Sequence, residues 1–269
     1  MASLALDHIT IVDTTPAELA AVAAQTGCDG VCIFLHGMPE ALPRLPDYDL
    51  ITDTTARRET KKVCADLGVS IDLAYPFTLA SRTDIAAFEQ ALAACAELGV
   101  PAVNALLYDR EPARRLERFA GFCDMAKSFG LDVVVEFYPP SQIKNLGDVV
   151  ALLRDADRVN AGINLDLLHH IRSGGAPEDL VQAPSSAIHF VQLSDGPAIV
   201  PDDKLIWEAG LQRLPPGSGA LPLQEMLAHM PPRVRVTVEV PQEDQIQAGL
   251  SAFNRAKRAV EASLPLMIR

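Results

Sequence analysis

Four oxygen-bearing side chains fall at or near the ends of four successive apolar runs in the second half of the 269-residue chain. Glu136 closes Asp132-Val-Val-Val-Glu136, Asp166 closes Ala161-Gly-Ile-Asn-Leu-Asp166, Gln192 lies in Ile188-His-Phe-Val-Gln-Leu193, and Glu239 in Arg235-Val-Thr-Val-Glu-Val240. Residues two apart on a strand share a face. On the last run Val234, Val236, Val238 and Val240 form one face and leave Arg235, Thr237 and Glu239 on the other. Val133 and Val135 oppose Glu136 in the same way, Ile163 and Leu165 oppose Asn164 and Asp166, and Gln192 shares its face with Phe190. Three carboxylates converging on one desolvated place do not all stay ionised without a cation. An all-oxygen donor set suits Mg²⁺ or Mn²⁺ best, with Zn²⁺, Co²⁺ and Fe²⁺ as further candidates. A metal that chelates a carbonyl and its neighbouring hydroxyl acidifies the C–H between them by stabilising the enediolate. Glu136 and Glu239 reach the site from different sides, so they are the candidate acid/base pair. Moving a proton from one face to the other is epimerisation or aldose–ketose isomerisation. Loss of a β-hydroxyl from the same intermediate is dehydration.

The elements that must position these residues follow a repeated phrase, an amphipathic helical stretch that ends in glycine and turns directly into a β-branched run. Residues 16–26, 57–67, 84–98 and 112–129 end at Gly27, Gly68, Gly99 and Gly130, and strands are expected at 31–35, 69–73, 102–106 and 132–136. Helices at 145–155, 177–182, 221–229 and 245–263, with strands at 161–166, 188–193 and 235–240, continue the alternation. A first strand at 6–12 completes eight strands and eight helices. Such alternation makes a parallel sheet, and eight units predict a single-domain α/β fold, a (β/α)8 TIM barrel over 1–269. An open doubly wound sheet is disfavoured because no Gly-x-Gly-x-x-Gly follows the first strand. Residues 194–220, long and rich in Gly and Pro, lie on the side where barrel chemistry occurs and are expected to be a binding loop or lid.

Composition narrows the class. With 23 Lys+Arg against 35 Asp+Glu the formal net charge is −12, and 49% hydrophobic and 22% charged residues are ordinary globular values. No basic patch gathers, so no nucleic-acid or membrane-surface partner is expected. The chain has no leader-like start and no apolar run long enough to span a bilayer, which points to a soluble cytoplasmic protein. Cys28, Cys32, Cys64, Cys95 and Cys123 have no metal or redox spacing and read as reduced, buried thiols.

Glu136, Asp166-x-x-His169, Val191-Gln-Leu-Ser-Asp195, Glu239 and Arg213-Leu-Pro-Pro-Gly-Ser-Gly219 together resemble the xylose isomerase-like TIM-barrel superfamily along essentially the whole chain. Its relatives include sugar and sugar-phosphate isomerases and epimerases, inosose dehydratases and 3-dehydroshikimate dehydratases. The resemblance implies a metal held by Glu136, Asp166, Gln192 and Glu239, with the two glutamates serving as acid/base catalysts. In the epimerases a histidine stands where this chain has Gln192, and a glutamine there is similar to some dehydroshikimate dehydratases. Gly217-Ser-Gly219 departs from the Gly-Glu-Gly frequent among relatives. The resemblance selects His169 as substrate contact or proton shuttle. His36, Arg213, Tyr75, Tyr108 and Trp207 are candidate substrate-binding residues, Tyr138 a further rim tyrosine, and His8 and His189 packed histidines.

The leading expectation is a divalent-metal-dependent isomerase or epimerase of a small sugar, sugar phosphate or cyclic polyol ketone. The alternative is a metal-dependent dehydratase, a lyase resembling the 3-dehydroshikimate or inosose enzymes. A non-catalytic binding barrel is a remote third. The AP endonucleases, which share the barrel, fit poorly, because they use several histidines in a metal cluster and the chain has six in all. The partner expected is a small-molecule substrate, with a homo-oligomer left open.

Overall fold

Eight parallel strands close into a barrel in sequence order in the computed structural model, which describes residues 4–267. They are β1 (Leu4–Asp7), β2 (Gly30–Phe34), β3 (Ser70–Leu79), β4 (Ala102–Leu107), β5 (Asp132–Glu136), β6 (Ala161–Asp166), β7 (Ile188–Leu193) and β8 (Arg235–Val238). Pairing of β8 with β1, Leu4 opposite Val236 and Leu6 opposite Val238, closes the ring. The helices are α1 (Pro16–Thr26), α2 (Thr54–Leu67), α3 (Glu89–Leu98), α4 (Pro112–Ser128), α5 (Leu146–Ala156), α6 (Leu167–Arg172), α7 (Leu205–Leu211), α8 (Leu223–Ala228), α9 (Glu243–Gln247) and α10 (Ala252–Ser263). The repeat read from the sequence is built as expected at its joints. Gly68 ends α2 in the left-handed region, φ 67°, where a side chain would be strained, and its N–H caps Ala65 and Cys64 carbonyls.

Two apolar shells hold the ring. Leu6, Ile33, Val133, Val135, Ile163, Leu165, Val236 and Val238 face outward against helix residues such as Leu19, Leu92, Phe119, Phe122 and Val260. Inside, Ala5, Cys32, Leu73, Ala102, Val134 and Phe190 fill the barrel. The strand-N-terminal end is plugged by charge: Arg235 pairs with Asp29 at 2.6 Å and Asp72 at 2.5 Å. All five cysteines are buried free thiols. Among the described residues no helix is long and apolar enough to cross a membrane.

Several elements differ from the sequence reading: residues 177–182, expected as a helix, form a 3-10 turn, and α6 and α7 stand where no helix was expected. The expected strand at 6–12 stops at Asp7, whose carboxylate accepts the Ile9 N–H at 3.0 Å and starts a 3-10 turn over His8–Ile11. The side chain competes with the ladder for the backbone, as Asp does at turns. The closing helix is two pieces, α9 and α10, separated where Gly249 takes φ 76°. β3 runs further than expected, to Leu79, so Tyr75 lies within it rather than beyond its end.

Candidate active site

The C-terminal ends of the strands surround a cavity of about 230 Å³. Its floor carries Asn104, Glu136, His169, Gln192, Arg213 and Glu239, and its walls are Ile9, Phe34, Pro76, Leu106, Ile206 and Ala209, with Tyr75 and Tyr138 between. Strand geometry sets the floor. Asp166 pairs in register with Gln192 across β6 and β7, Glu136 with Asn164 across β5 and β6, and Glu239, one residue past β8, donates its N–H to Leu193 at 3.0 Å.

Each acid has its own surroundings. Glu136 Oε2 accepts from Asn104 Nδ2 at 2.7 Å, and Asn164 Nδ2 in turn donates to Asn104 Oδ1 at 3.3 Å. Asp166 caps α6: Oδ1 accepts the Leu168 and His169 N–H groups at 2.8 and 3.1 Å. Its Oδ2 lies 2.7 Å from Arg213 Nη1, which sits at the same distance from Glu239 Oε2 and 3.2 Å from Ser194 Oγ. His169 Nε2 lies 3.4 Å from Asp166 Oδ2 and 3.6 Å from Glu136 Oε1.

One guanidinium cannot ionise three buried carboxyls. Burial, and then the Asp166 charge, push Glu136 up to about 8. Burial also drives Glu239 well above the ordinary range, although Arg213 opposes the shift. For Asp166 burial acts in the same direction, yet the Arg213 charge and the α6 amides outweigh it and hold this carboxyl below its ordinary range. Burial lowers His169 to about 4, so its imidazole is neutral at neutral pH. Burial thus favours the protonated form of both glutamates, and a bound cation would favour the ionised one.

Part of the expected donor set fits a divalent ion: Glu136 and Asp166 fall in one cluster, with His169 rather than the Arg213-bound Glu239 as its third member. Ligand atoms of Glu136, Asp166 and His169 lie within 4.8 Å of one another. Gln192, 2% exposed, has an Oε1 with no hydrogen-bond partner among the described residues. A buried amide oxygen left open beside proton-retaining carboxyls is what a cation would satisfy.

Several expected residues are placed here and others are not. Arg213 reaches the floor, but its Nη1 is taken up by Asp166, Glu239 and Ser194 and its Nε and Nη2 by the Ala209 carbonyl. Tyr75 lines the cavity. Tyr138 lines it too, its ring 5.2 Å from that of His169, while Tyr108 stands behind and bonds the Tyr138 hydroxyl. His36 lies outside the lining, its Nδ1 2.8 Å from the Gly37 carbonyl oxygen. Trp207 is 41% exposed on α7 and turns away from the cavity, where Ile206 and Ala209 of the same helix serve instead. His8 is packed, bonding the Thr14 carbonyl at 2.8 Å, and the His189 ring lies over Gly162 at the strand-N-terminal end of the barrel, its Nδ1 3.9 Å from Asp132 Oδ2.

The loop over 194–220 is built rather than loose. Asp195 accepts four backbone N–H groups, from Gly196, Gly217, Gly219 and Leu221, at 2.8 to 3.1 Å. Gly219 admits no side chain, because a Cβ would come within 2.3 Å of Asp195 Oδ1 and the Gly196 carbonyl. A buried ion pair, Arg172 with Glu208 at 2.7 Å, ties α7 to α6. Asp195, Asn104 and Asp7 were not singled out from sequence as site residues. Asp195 lay in plain view in Gln192-Leu-Ser-Asp195, whereas Asn104 shows no signal in a run of apolar neighbours.

The chain belongs to the xylose isomerase-like TIM barrel family, whose model matches residues 20–257. Two curated relatives, the 3-dehydroshikimate dehydratases of Pseudomonas aeruginosa and Pseudomonas putida, are each 29% identical over 235 and 243 residues, 82% of this chain. The chain spans about a third (34%) of the length of these relatives. Among solved structures, the IOLI protein with a bound zinc atom matches with a TM-score of 0.76 at 18% identity, covering 98% of each chain.

Proposed function

We propose that the chain is a divalent-metal-dependent dehydratase of a small cyclic hydroxyketone of the 3-dehydroshikimate type. The observation that carries this reading is the division of the cavity into an apolar wall and a polar floor. An open-chain sugar exposes hydroxyls in all directions and would leave them unpaired against Ile9, Phe34, Leu106 and Ile206, at a cost of about 1–3 kcal/mol for each. A ring with one apolar face and one polar edge matches both surfaces. The small volume fits such a ring, since drug-sized sites run on the order of 300–1,000 Å³. Gln192 in the donor set and the two curated dehydratase relatives support the same choice.

Glu136, Asp166, Gln192 and Glu239 would hold the metal, which supplies Lewis acidity to the substrate carbonyl and its enolate. His169, neutral and lining the cavity, takes the proton from the carbon beside the carbonyl, and Asp166 stabilises the imidazolium so formed. That proton passes to the β-hydroxyl as its C–O bond breaks, so that the group leaves as water and the neutral imidazole is restored. Asn104 fixes the Glu136 carboxyl, and Tyr138 packs on the His169 ring and holds it in place. The apolar wall excludes water from the enolate.

The test is product analysis in D₂O with Mn²⁺ or Mg²⁺. Incubation with 3-dehydroshikimate is expected to release one water and build an ultraviolet-absorbing aromatic acid. Deuterium washing into recovered substrate or sugar without loss of water would favour the epimerase reading instead.

A further inference from the structure

On the β1–β3 wall, opposite His169 across the barrel, stands a pair that the steps above do not use. Asp7 ends β1 with no exposure. Its Oδ1 accepts from the Ile9 N–H and from the Tyr75 hydroxyl, and its Oδ2 has no partner among the described residues. Capping the Ile9 N–H does not explain a buried carboxylate, because an uncharged Asn or Ser serves a cap as well. The Tyr75 ring is fixed by an edge contact with Phe34, centroids 4.5 Å apart at 88°, and both rings line the cavity.

A phenol has one proton to donate. Here that proton lies in the bond to Asp7, so the oxygen has only lone pairs left for the cavity. Burial, and then the Asp7 charge beside it, keep the hydroxyl from ionising. Tyr75 is therefore a neutral acceptor, with negative charge behind it.

We propose that Tyr75 is a specificity-determining contact that reads a substrate hydroxyl, and that Asp7 is its positioning residue. Because the Tyr75 hydroxyl spends its one proton on the hydrogen bond to Asp7, Tyr75 accepts from a donor on the substrate and turns away a carbonyl or carboxylate. The inference rests on the cyclic hydroxyketone reading and adds an orientation to it. The hydroxyl edge of the ring faces β1–β3, and the carbonyl faces Glu136, Gln192 and Glu239. A site built to pair with a hydroxyl discriminates strongly against an analogue that lacks it.

The test uses two unreactive probes on the Mn²⁺-loaded protein: shikimate, which carries ring hydroxyls but no ketone, and the cyclohexene carboxylate with no hydroxyls. Calorimetry gives the ratio of their affinities in wild type, Tyr75→Phe and Asp7→Asn. Tyr75→Phe keeps the ring against Phe34, and Asp7→Asn keeps the cap, so melting temperatures check that both variants fold. The expected result is at least a tenfold preference for shikimate in wild type, a ratio near one in Tyr75→Phe, and at least a threefold loss of preference in Asp7→Asn. An equal ratio in wild type, or an undiminished one in Tyr75→Phe, overturns the inference even when 3-dehydroshikimate is turned over. The expected ratios in a protein that does not dehydrate 3-dehydroshikimate uphold the contact and remove the dehydratase reading alone.

Discussion

Arg213 donates through Nη1 to Glu239 Oε2 at 2.7 Å, from a loop residue that is 2% exposed and anchored by its own backbone N–H on the Pro241 carbonyl at 2.8 Å. The same nitrogen reaches Asp166, so one buried cation serves two acids. Removing one partner of such a group leaves uncompensated charge, at a cost of about 3–5 kcal/mol. Arg213→Met is expected to lower the melting temperature of the chelator-treated protein sharply. Mn²⁺ is expected to restore more stability to this variant than it adds to wild type. Thermal denaturation with EDTA and with Mn²⁺ checks both.

The retained protons make metal-free stability fall as pH rises. Glu136 has its folded pKa raised to about 8 from an ordinary 4.5, so above pH 4.5 the folded state binds a proton that the unfolded state has lost. Its stabilising contribution is full below 4.5 and is lost as pH climbs to 8, at most about 1.4 kcal/mol per pH unit for each such proton. Denaturant melts of the EDTA-treated protein from pH 5 to 8 should show this decline. Metal binding at pH 7 should release protons, since ligating carboxylates must be ionised. Calorimetry in buffers of different ionisation enthalpy measures that release.

Asp195 organises the loop over the cavity through four backbone N–H groups. Asp195→Ala leaves these donors without their acceptor while touching no floor residue directly. The expected outcome is a several-fold rise in KM with a smaller change in kcat, and faster limited proteolysis within 194–220. Steady-state kinetics and mapping of the cleavage sites decide it.

The barrel was legible because the helix, glycine and β-branched strand repeat depends on local chemistry that sequence displays directly. Strand alternation likewise assigns Glu136, Asp166 and Glu239 to the inner face without knowledge of contacts, and Glu136 and Glu239 do line the cavity. Asp7 was hidden because a strand read through to residue 12 places it near the strand's start, and only the Ile9 cap ends β1 there. Arg213 was visible as a loop arginine, but its bridging of Asp166 and Glu239 depends on how a 27-residue loop (194–220) folds back. Trp207 and Ile206 are adjacent on α7, and the helix phase that turns the tryptophan outward is set by the Arg172–Glu208 tie. Tertiary contacts of this kind leave no periodic trace.

The central claim is metal-dependent dehydration at Glu136, Asp166, Gln192 and Glu239. The direct measurement follows formation of the aromatic acid from 3-dehydroshikimate by ultraviolet absorbance, in wild type and Glu239→Gln, each with Mn²⁺ and after EDTA treatment. The expected result is turnover by wild type that EDTA abolishes and Mn²⁺ restores, with at least a hundredfold loss in Glu239→Gln. Turnover that survives EDTA and the substitution, or no aromatic product from the Mn²⁺-loaded wild type, would contradict it.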